Sequence, residues 1–483
     1  MRRLIKITLG ITFLFFLQPN IYAQVGIGTT VPDASSILDI TSDSQGMLTP
    51  RMTTIQRTGI ASPAEGLLVF DIDEDAFYYF DSSIWVKLEG SVTRDNYKLV
   101  KSIADLSDEL VGGKYVLNED YLYEINGTII FDFPIDLNGA YIIGEDTNED
   151  ILFKAGGTLF EGDSGGSIRG VTLVASGGTV FSLAGSLPIT ETLILRDCII
   201  ANSTSVGSIS SFDLVFLSIA QFANNAGGIT YTDINQLLIN SSGWHGNNGG
   251  VYESFSGTFD VISRQGGFSE VIGATAAMDV TGVTSINGDA AIRNVSFFGG
   301  GNYINGSSPY SGYDFTNDWD VNSPGLPVET DGVAIGDINF DYPVGTGFAT
   351  DISAGGGTGI PMKIGGLTTS NNLFRFEKVG NNRLVYDGKK TRYFSINTSF
   401  SFRGDNNNAI FIFYIAKGNS GDTVASINPA TRVYREVGSN NDIGAVAIVG
   451  SIELSPGDFL EVWVERFSGS GDLLTVSLNM VVK

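Results

Sequence analysis

Residues Gly156–Gly185 read GGTLFEGDSGGSIRGVTLVASGGTVFSLAG, and in them GGT-L/V-F occurs twice, at Gly156 and at Gly177, 21 residues apart. A related apolar segment returns along the flanking chain: IRGVTL at Ile168, LRDCII at Leu195, FDLVFL at Phe212, INQLLI at Ile234 and IRNVSF at Ile292, with looser copies FDVISR at Phe259 and MDVTGV at Met278. Their starts lie 27, 17, 22, 25, 19 and 14 residues apart. In the better copies the fourth and sixth positions are apolar and so share one strand face. Gly-Gly recurs at Gly156, Gly177, Gly227, Gly249 and Gly266, where a tight corner needs backbone freedom. A period near 20 residues, one apolar strand per period and Gly/Asn-rich corners predict a parallel β-helix, each coil stacking on the last. Phe160 and Phe181, equivalent in the two copies, are then expected to stack inside it. A leucine-rich repeat would demand a fixed L-x-x-L-x-L frame that these segments do not hold.

Outward from this region, helical spacing occurs only in SIADLSDEL, where Ile103, Leu106 and Leu110 fall at i, i+3 and i+7. Residues 24–90 form a small β module in which LLVFD and FYYFD flank an acidic turn. The β-helix is placed at 97–320, and the Gly/Pro/Thr-rich stretch 322–385 reads as a connector with short strands. In 386–483, RYFSINTSFSFRG alternates, with Phe394, Ile396, Phe400 and Phe402 on one face. AIFIFYIA is apolar on both faces, so both are expected to be covered. In LSPGDFLEVWVERF, Leu460, Val462 and Val464 are expected to point inward, and Phe459 and Trp463 outward toward a partner subunit.

Arg2, Arg3 and Lys6 precede the apolar run Ile7–Leu17, and a small residue follows at Ala23. This is the pattern of a secretory signal, residues 1–23, cleaved near Ala23; the expected location is extracellular or at a cell surface. The run is too short to span a bilayer, so no membrane insertion of the mature chain is expected. The formal net charge of −25 makes nucleic acid and anionic membranes poor partners. Carbohydrate, cations and other proteins stay open. The single cysteine, Cys198, allows no intramolecular disulfide and sits where related segments carry Val or Leu, so it reads as a buried filler.

Three motifs carry resemblances. VGIGTTVPDASSILDI with GMLTPRMTTIQR and GLLVFD is similar to the opening module of secreted, fibre-like surface proteins of Bacteroidota. The central repeats resemble the right-handed β-helix of tailspike and pectate-lyase-like proteins. RLVYDGKKTRYFSINTSFSF with IELSPGDFLEVWVE is similar to a tumour-necrosis-factor-like jelly-roll head, which in such families forms trimers. The expected fold class is therefore all-β: a right-handed parallel β-helix followed by an antiparallel β-sandwich, a jelly roll, with a small N-terminal β module. The resemblance implies a homotrimeric fibre or spike joined through 386–483.

Candidate chemistry is sparse. The sole histidine, His245, follows Trp244 in SSGWHGNN; an exposed Trp244 there would offer a platform to a sugar ring, making Trp244 and His245 the expected ligand contacts. No transition-metal set and no cofactor motif is present. The run DIDED, Asp71–Asp75, suits a solvated turn better than a calcium loop. If the β-helix is instead a polysaccharide lyase or glycosidase, two or three carboxyl groups must converge on one groove, and Asp213, Asp233 and Asp260 are the candidates. Asp213, Asp260 and Asp279 occupy the second position of their segments and suggest an acidic ladder, with Arg169, Arg196 and Arg293 in the same slot elsewhere. The leading expectation is a secreted, non-catalytic structural or adhesive fibre with a possible polysaccharide or surface-glycan ligand; the alternatives are the carbohydrate-active enzyme and a structural subunit of a larger appendage.

Overall fold

The computed structural model describes residues 24–88, 95–273, 275–343 and 345–483; the expected secretory signal lies outside them. The chain divides into two units, up to Asp95 and from Asn96 onward, and each is described by itself.

The first unit has little interior. Val25–Ile27 and Leu38–Ile40 make an isolated two-stranded parallel ribbon. Arg51–Met52, Leu68–Asp71, Ala76–Phe80 and Trp85–Lys87 make a four-stranded sheet. Among its described apolar side chains, Val69 and Tyr78 are the buried ones. The acidic turn departs from expectation at its first residue, because Asp71 is buried rather than solvated. It accepts hydrogen bonds from Arg57 Nε at 2.7 Å and Thr54 Oγ1 at 2.9 Å, and from the backbone N–H groups of Asp73 and Glu74. The Arg57 guanidinium also lies 3.7 Å from the Tyr78 ring centre, so this ion pair takes the place of a larger core.

The second unit begins with a parallel β-helix of about nine turns, its strands running from Tyr97 to Asn322. Along one wall, Gly166–Arg169, Thr192–Arg196, Leu214–Ser218 and Gln236–Asn240 pair in parallel, each with the next coil. Ile168, Leu195, Leu217, Ile239, Arg264, Ile292 and Val321 form one inward column of that wall, apolar except at the buried Arg264. Phe160 pairs with Phe181, and their rings stack at 5.6 Å and 17°, as the doubled motif implies. Cys198 is buried and free, and burial pushes its thiol up to about 12.

The recurring segment proves to be two, with the looser copy at Met278 on a further wall opposite Glu253 and Ile304. Ile168, Leu195 and Ile292 are in register with one another, whereas Phe212, Ile234 and Phe259 share a position several residues earlier in the coil. Both carry apolar residues two apart, so residue type alone does not separate them. After the first class comes a column of left-handed residues, Gly170, Asp197, Ile219, Ser241, Gly266 and Asn294, with φ between 51° and 68°. The N–H of each donates to a carbonyl one coil on, as Asp197 does to Ser218 at 2.9 Å and Ser241 to Gln265 at 2.7 Å. Glycine thus marks some corners and Asn, Asp or Ser others, since short polar side chains also tolerate this conformation. At another corner the buried amides stack: Asn225 Nδ2 donates to Asn248 Oδ1 at 3.0 Å, and Asn225 Oδ1 accepts from the Ser203 N–H at 3.1 Å. They satisfy corner backbone that water cannot reach.

Both ends of the coil stack are closed. The expected helix is a 3-10 segment, Ile103–Glu109, broken at Leu106; Leu106 is buried, while Leu110 already begins a strand. Its task is to cover the apolar end of the first coil, where Leu106 meets Val100, Tyr123 and Ile125, and one inserted side chain suffices. At the other end, Arg375 lies fully buried with φ 54°. Its guanidinium binds Asp331 and the carbonyl oxygens of Trp319 and Glu329.

The sandwich follows. The short strands expected within 322–385 pair with those of the sandwich. Ile335–Asp341 pairs antiparallel with the final strand, Leu473–Val482, and Leu384–Tyr386 pairs with Phe459–Ser468. Buried Asp337 obscures this in the sequence; it is held by the N–H of Asn372 at 2.6 Å and the Ser370 hydroxyl at 3.2 Å. Phe394, Ile396, Phe400 and Phe402 pack inward against Leu460, Val462 and Val464. Phe459 and Trp463 face away from that core, but Phe459 is buried there and Trp463 is partly exposed. Phe459 packs against Ala416 and Ala425, and Arg383 lies 3.8 Å from its ring, while the strand Ser426–Ile427 extends the sheet beside Ala416 and Lys417.

Candidate functional site

Trp244 is not an exposed platform. It is fully buried, stacked between Phe222 at 4.0 Å and Tyr252 at 5.0 Å, and its indole N–H donates to Glu253 at 3.1 Å. The reason is register, since Gly243–Trp244 pairs with Gln221–Phe222 and Trp244 inherits the inward slot of Phe222. A signal existed: QFANNAGG at Gln221 and GWHGNNGG at Gly243 share the frame x-aromatic-x-x-Asn-Asn-x-Gly or its close variant. His245, the next residue, is exposed and packs edge-on to Phe268 at 5.1 Å. The two expected ligand contacts therefore point to opposite sides of the wall. Beneath Trp244 lies a buried ion pair that the sequence reading missed, Arg264 Nε to Glu253 at 3.2 Å, with Arg264 also donating to the carbonyls of Gly266 and Ser242. It is enclosed by the core and joins two walls of one coil, and the Arg264 contact with Ser242 reaches the preceding coil.

Asp213, Asp233 and Asp260 do not assemble as a catalytic set. Asp213 and Asp260 share a column, but the coil between them places Asn235 there. Asn235 donates its amide to Asp213 at 2.9 Å, and Asn287 donates likewise to Asp260 at 2.9 Å. Carboxylates and amides thus alternate, which relieves the repulsion of stacked charges. Asp233 sits in a left-handed turn, where its side chain accepts the Thr258 N–H at 2.9 Å. Asp279 belongs to a different wall, opposite Ser254 and Asn305. Arg169 and Arg196 stack with each other at the far end of the strands, in the column that also holds Arg293, so the single charged ladder expected from the sequence is three separate features.

Two open concavities lie where the last coils meet the sandwich. The larger, about 990 Å³, is lined by Tyr310, Tyr313, Asn371, Asn372, Glu377 and Asp387 among others. Tyr313 stacks on Phe374 at 4.0 Å and 17°. Tyr310 donates to Asp387 at 2.8 Å, and burial pushes its hydroxyl pKa upward, so it remains a donor across the ordinary pH range. Half-buried aromatic rings among amides and carboxylates suit polyhydroxylated ligands. These residues come from segments up to 77 positions apart, and no local motif gathers them.

Residues 26–102 match the family model described as the phage tail like trimerisation region. No curated protein matches the chain. Among solved structures, the Acinetobacter phage vB_ApiP_P1 tailspike protein is 9% identical over 89% of this chain and 100% of its own, with a TM-score of 0.23. The enzymatically active domain of bacteriophage CBA120 tailspike protein 4 is 10% identical over 90% of this chain and 77% of its own, with a TM-score of 0.17. Murine APRIL at pH 5.0 is 13% identical over 31% of this chain and 97% of its own, with a TM-score of 0.21. Likenesses with TM-scores this low carry no functional weight.

Proposed function

We propose that the protein is a subunit of a secreted, homotrimeric, non-catalytic fibre or spike with adhesive, glycan-binding capacity, and that its chains associate through residues 26–102. The observation that carries this is the apolar surface of the first unit. Val31, Ile37, Leu48 and Ile55 are each more than 80% exposed, and the ribbon that holds Val25 and Ile27 has no packed layer above it. A two-stranded ribbon is marginal by itself, and exposed large apolar residues in this number favour burial against a partner. Three copies brought together give these side chains one another as cover. The match to a trimerisation region supports the same segment.

Burial of Phe459 within its own chain weakens one reason for assigning assembly to 386–483. Trimerisation also supplies the binding mechanism, because three weak glycan sites on one particle raise the effective concentration without a new contact. Light scattering of the mature chain is expected to give a mass near three times that of the monomer. Deleting residues 24–95 is expected to give a folded monomer, whereas a trimer that survives this deletion would refute the assignment.

A further inference from the structure

We propose that a second cleft at the same junction, lined by Arg293, Lys390 and Arg392, binds a carboxylated sugar residue; this deepens the adhesive reading above and rests on it. The cleft is about 540 Å³, within the usual range of small-ligand sites, and Asn294, Asn322 and Thr391 complete much of its lining. In a chain of net charge −25, three cations converge here from two remote segments. Arg293 ends the last long coil strand, and Lys390 and Arg392 lead into the first long strand of the sandwich. No sequence pattern announces the cluster, because the fold alone brings the two segments together.

Lys390 and Arg392 are held in place but not neutralised. The buried Asp331 carboxylate accepts the backbone N–H of Lys390 at 2.8 Å and of Lys389 at 3.1 Å, while its charge is met by Arg375. Lys389 itself turns away, to Asp289 at 2.8 Å. Among the described residues, no carboxylate lies within salt-bridge distance of the Lys390 or Arg392 side chain. Arg293 lies 3.9 Å from Asp320, which it shares with Arg375 at 3.7 Å. Arg293, Arg375, Lys390 and Arg392 thus face Asp320 and Asp331, and the positive excess is small.

That balance selects the ligand. One carboxylate can be bound by an arginine fork, and the surrounding amides and hydroxyls can take up ring hydroxyl groups. A polyphosphate chain would need many more cations and would meet the repulsion of the whole acidic molecule. A neutral sugar would leave the cations unpaired.

The test uses the full-length mature protein, with isothermal titration of oligogalacturonate and of sialyllactose, each against its own carboxyl methyl ester. At least one acid is expected to bind about tenfold more tightly than its ester, as for one lost charge-assisted pair. Arg392→Gln and Lys390→Gln are each expected to abolish that preference. Arg169→Gln, on the shaft wall, is expected to leave it unchanged, and all three variants should keep the parent's circular dichroism and thermal midpoint. Equal affinity of both acids and their esters overturns the assignment, as does an intact preference in folded Arg392→Gln and Lys390→Gln. A glycan array run in parallel separates the readings. Capture of neutral glycans with no acid preference overturns this cleft and leaves adhesion standing, whereas no capture of any glycan overturns both.

Discussion

Ile219 occupies a position where φ is 56° and every equivalent residue from Gly170 to Asn294 is Gly, Asn, Asp or Ser. A β-branched side chain in the left-handed region costs about 1–2 kcal/mol, and Ile219 is half exposed, so it recovers little by burial. Ile219→Asn is expected to raise stability by about 1 kcal/mol, read as a higher urea midpoint with an unchanged slope. An unchanged or lowered midpoint would mean that the isoleucine makes up the strain through contacts with neighbouring coils. Trp244 teaches the complementary lesson. Its residue type suggested a sugar platform, yet its register with Phe222 placed it in the core. In a stacked coil, the slot a residue occupies outweighs what its side chain is suited to do, and the slot is legible only when adjacent coils are aligned.

The elements differ in how they are held together. The coils need no long-range device, since each strand pairs with its neighbours and each column continues inward packing. The four-stranded sheet of the first unit has almost no core, and the Arg57–Asp71 pair stands in for it. Burial pushes the Asp71 carboxyl up, but Arg57, Thr54 and two backbone N–H groups outweigh this and hold it below the ordinary carboxylate range. Its folded value is therefore lower than its unfolded value of about 3.9. The stability this contributes is fully present above that unfolded value and is lost as pH falls through the lower folded one. Acidification is expected to melt the first unit in that window, seen as a loss of near-ultraviolet dichroism from Tyr78 and Trp85, and Asp71→Asn is expected to weaken the unit at neutral pH and flatten the acid transition. A wild-type unit whose stability is level across that window would show that the pair is not its support.

At the scale of the whole molecule, the two units carry different kinds of stability. The second unit has a coil core and a sandwich core of its own. The first exposes most of its apolar residues, and in the proposed trimer its folding is inseparable from association. Mass action then requires the unfolding midpoint of the first unit to rise with protein concentration, while that of the second unit stays constant. Denaturation followed at protein concentrations a hundredfold apart is expected to show one moving and one fixed transition. Two fixed transitions would place the trimer contacts outside the first unit or remove them.

The amino-acid sequence by itself determined the all-β class, the parallel β-helix, the Phe160–Phe181 stack and the alternating strand of the sandwich, because each rests on local periodicity or on a repeat spacing that any coil must obey. It also left a readable but overlooked trace of the Trp244 slot in the paired Asn-Asn frames. Only the tertiary structure decided which face each polar residue occupies, that Ile335–Asp341 belongs to the sandwich, and that Arg293 meets Lys390 and Arg392. Those outcomes depend on pairings between segments far apart in the chain, where a one-residue change of register moves a side chain from core to solvent and where no local pattern records the partner.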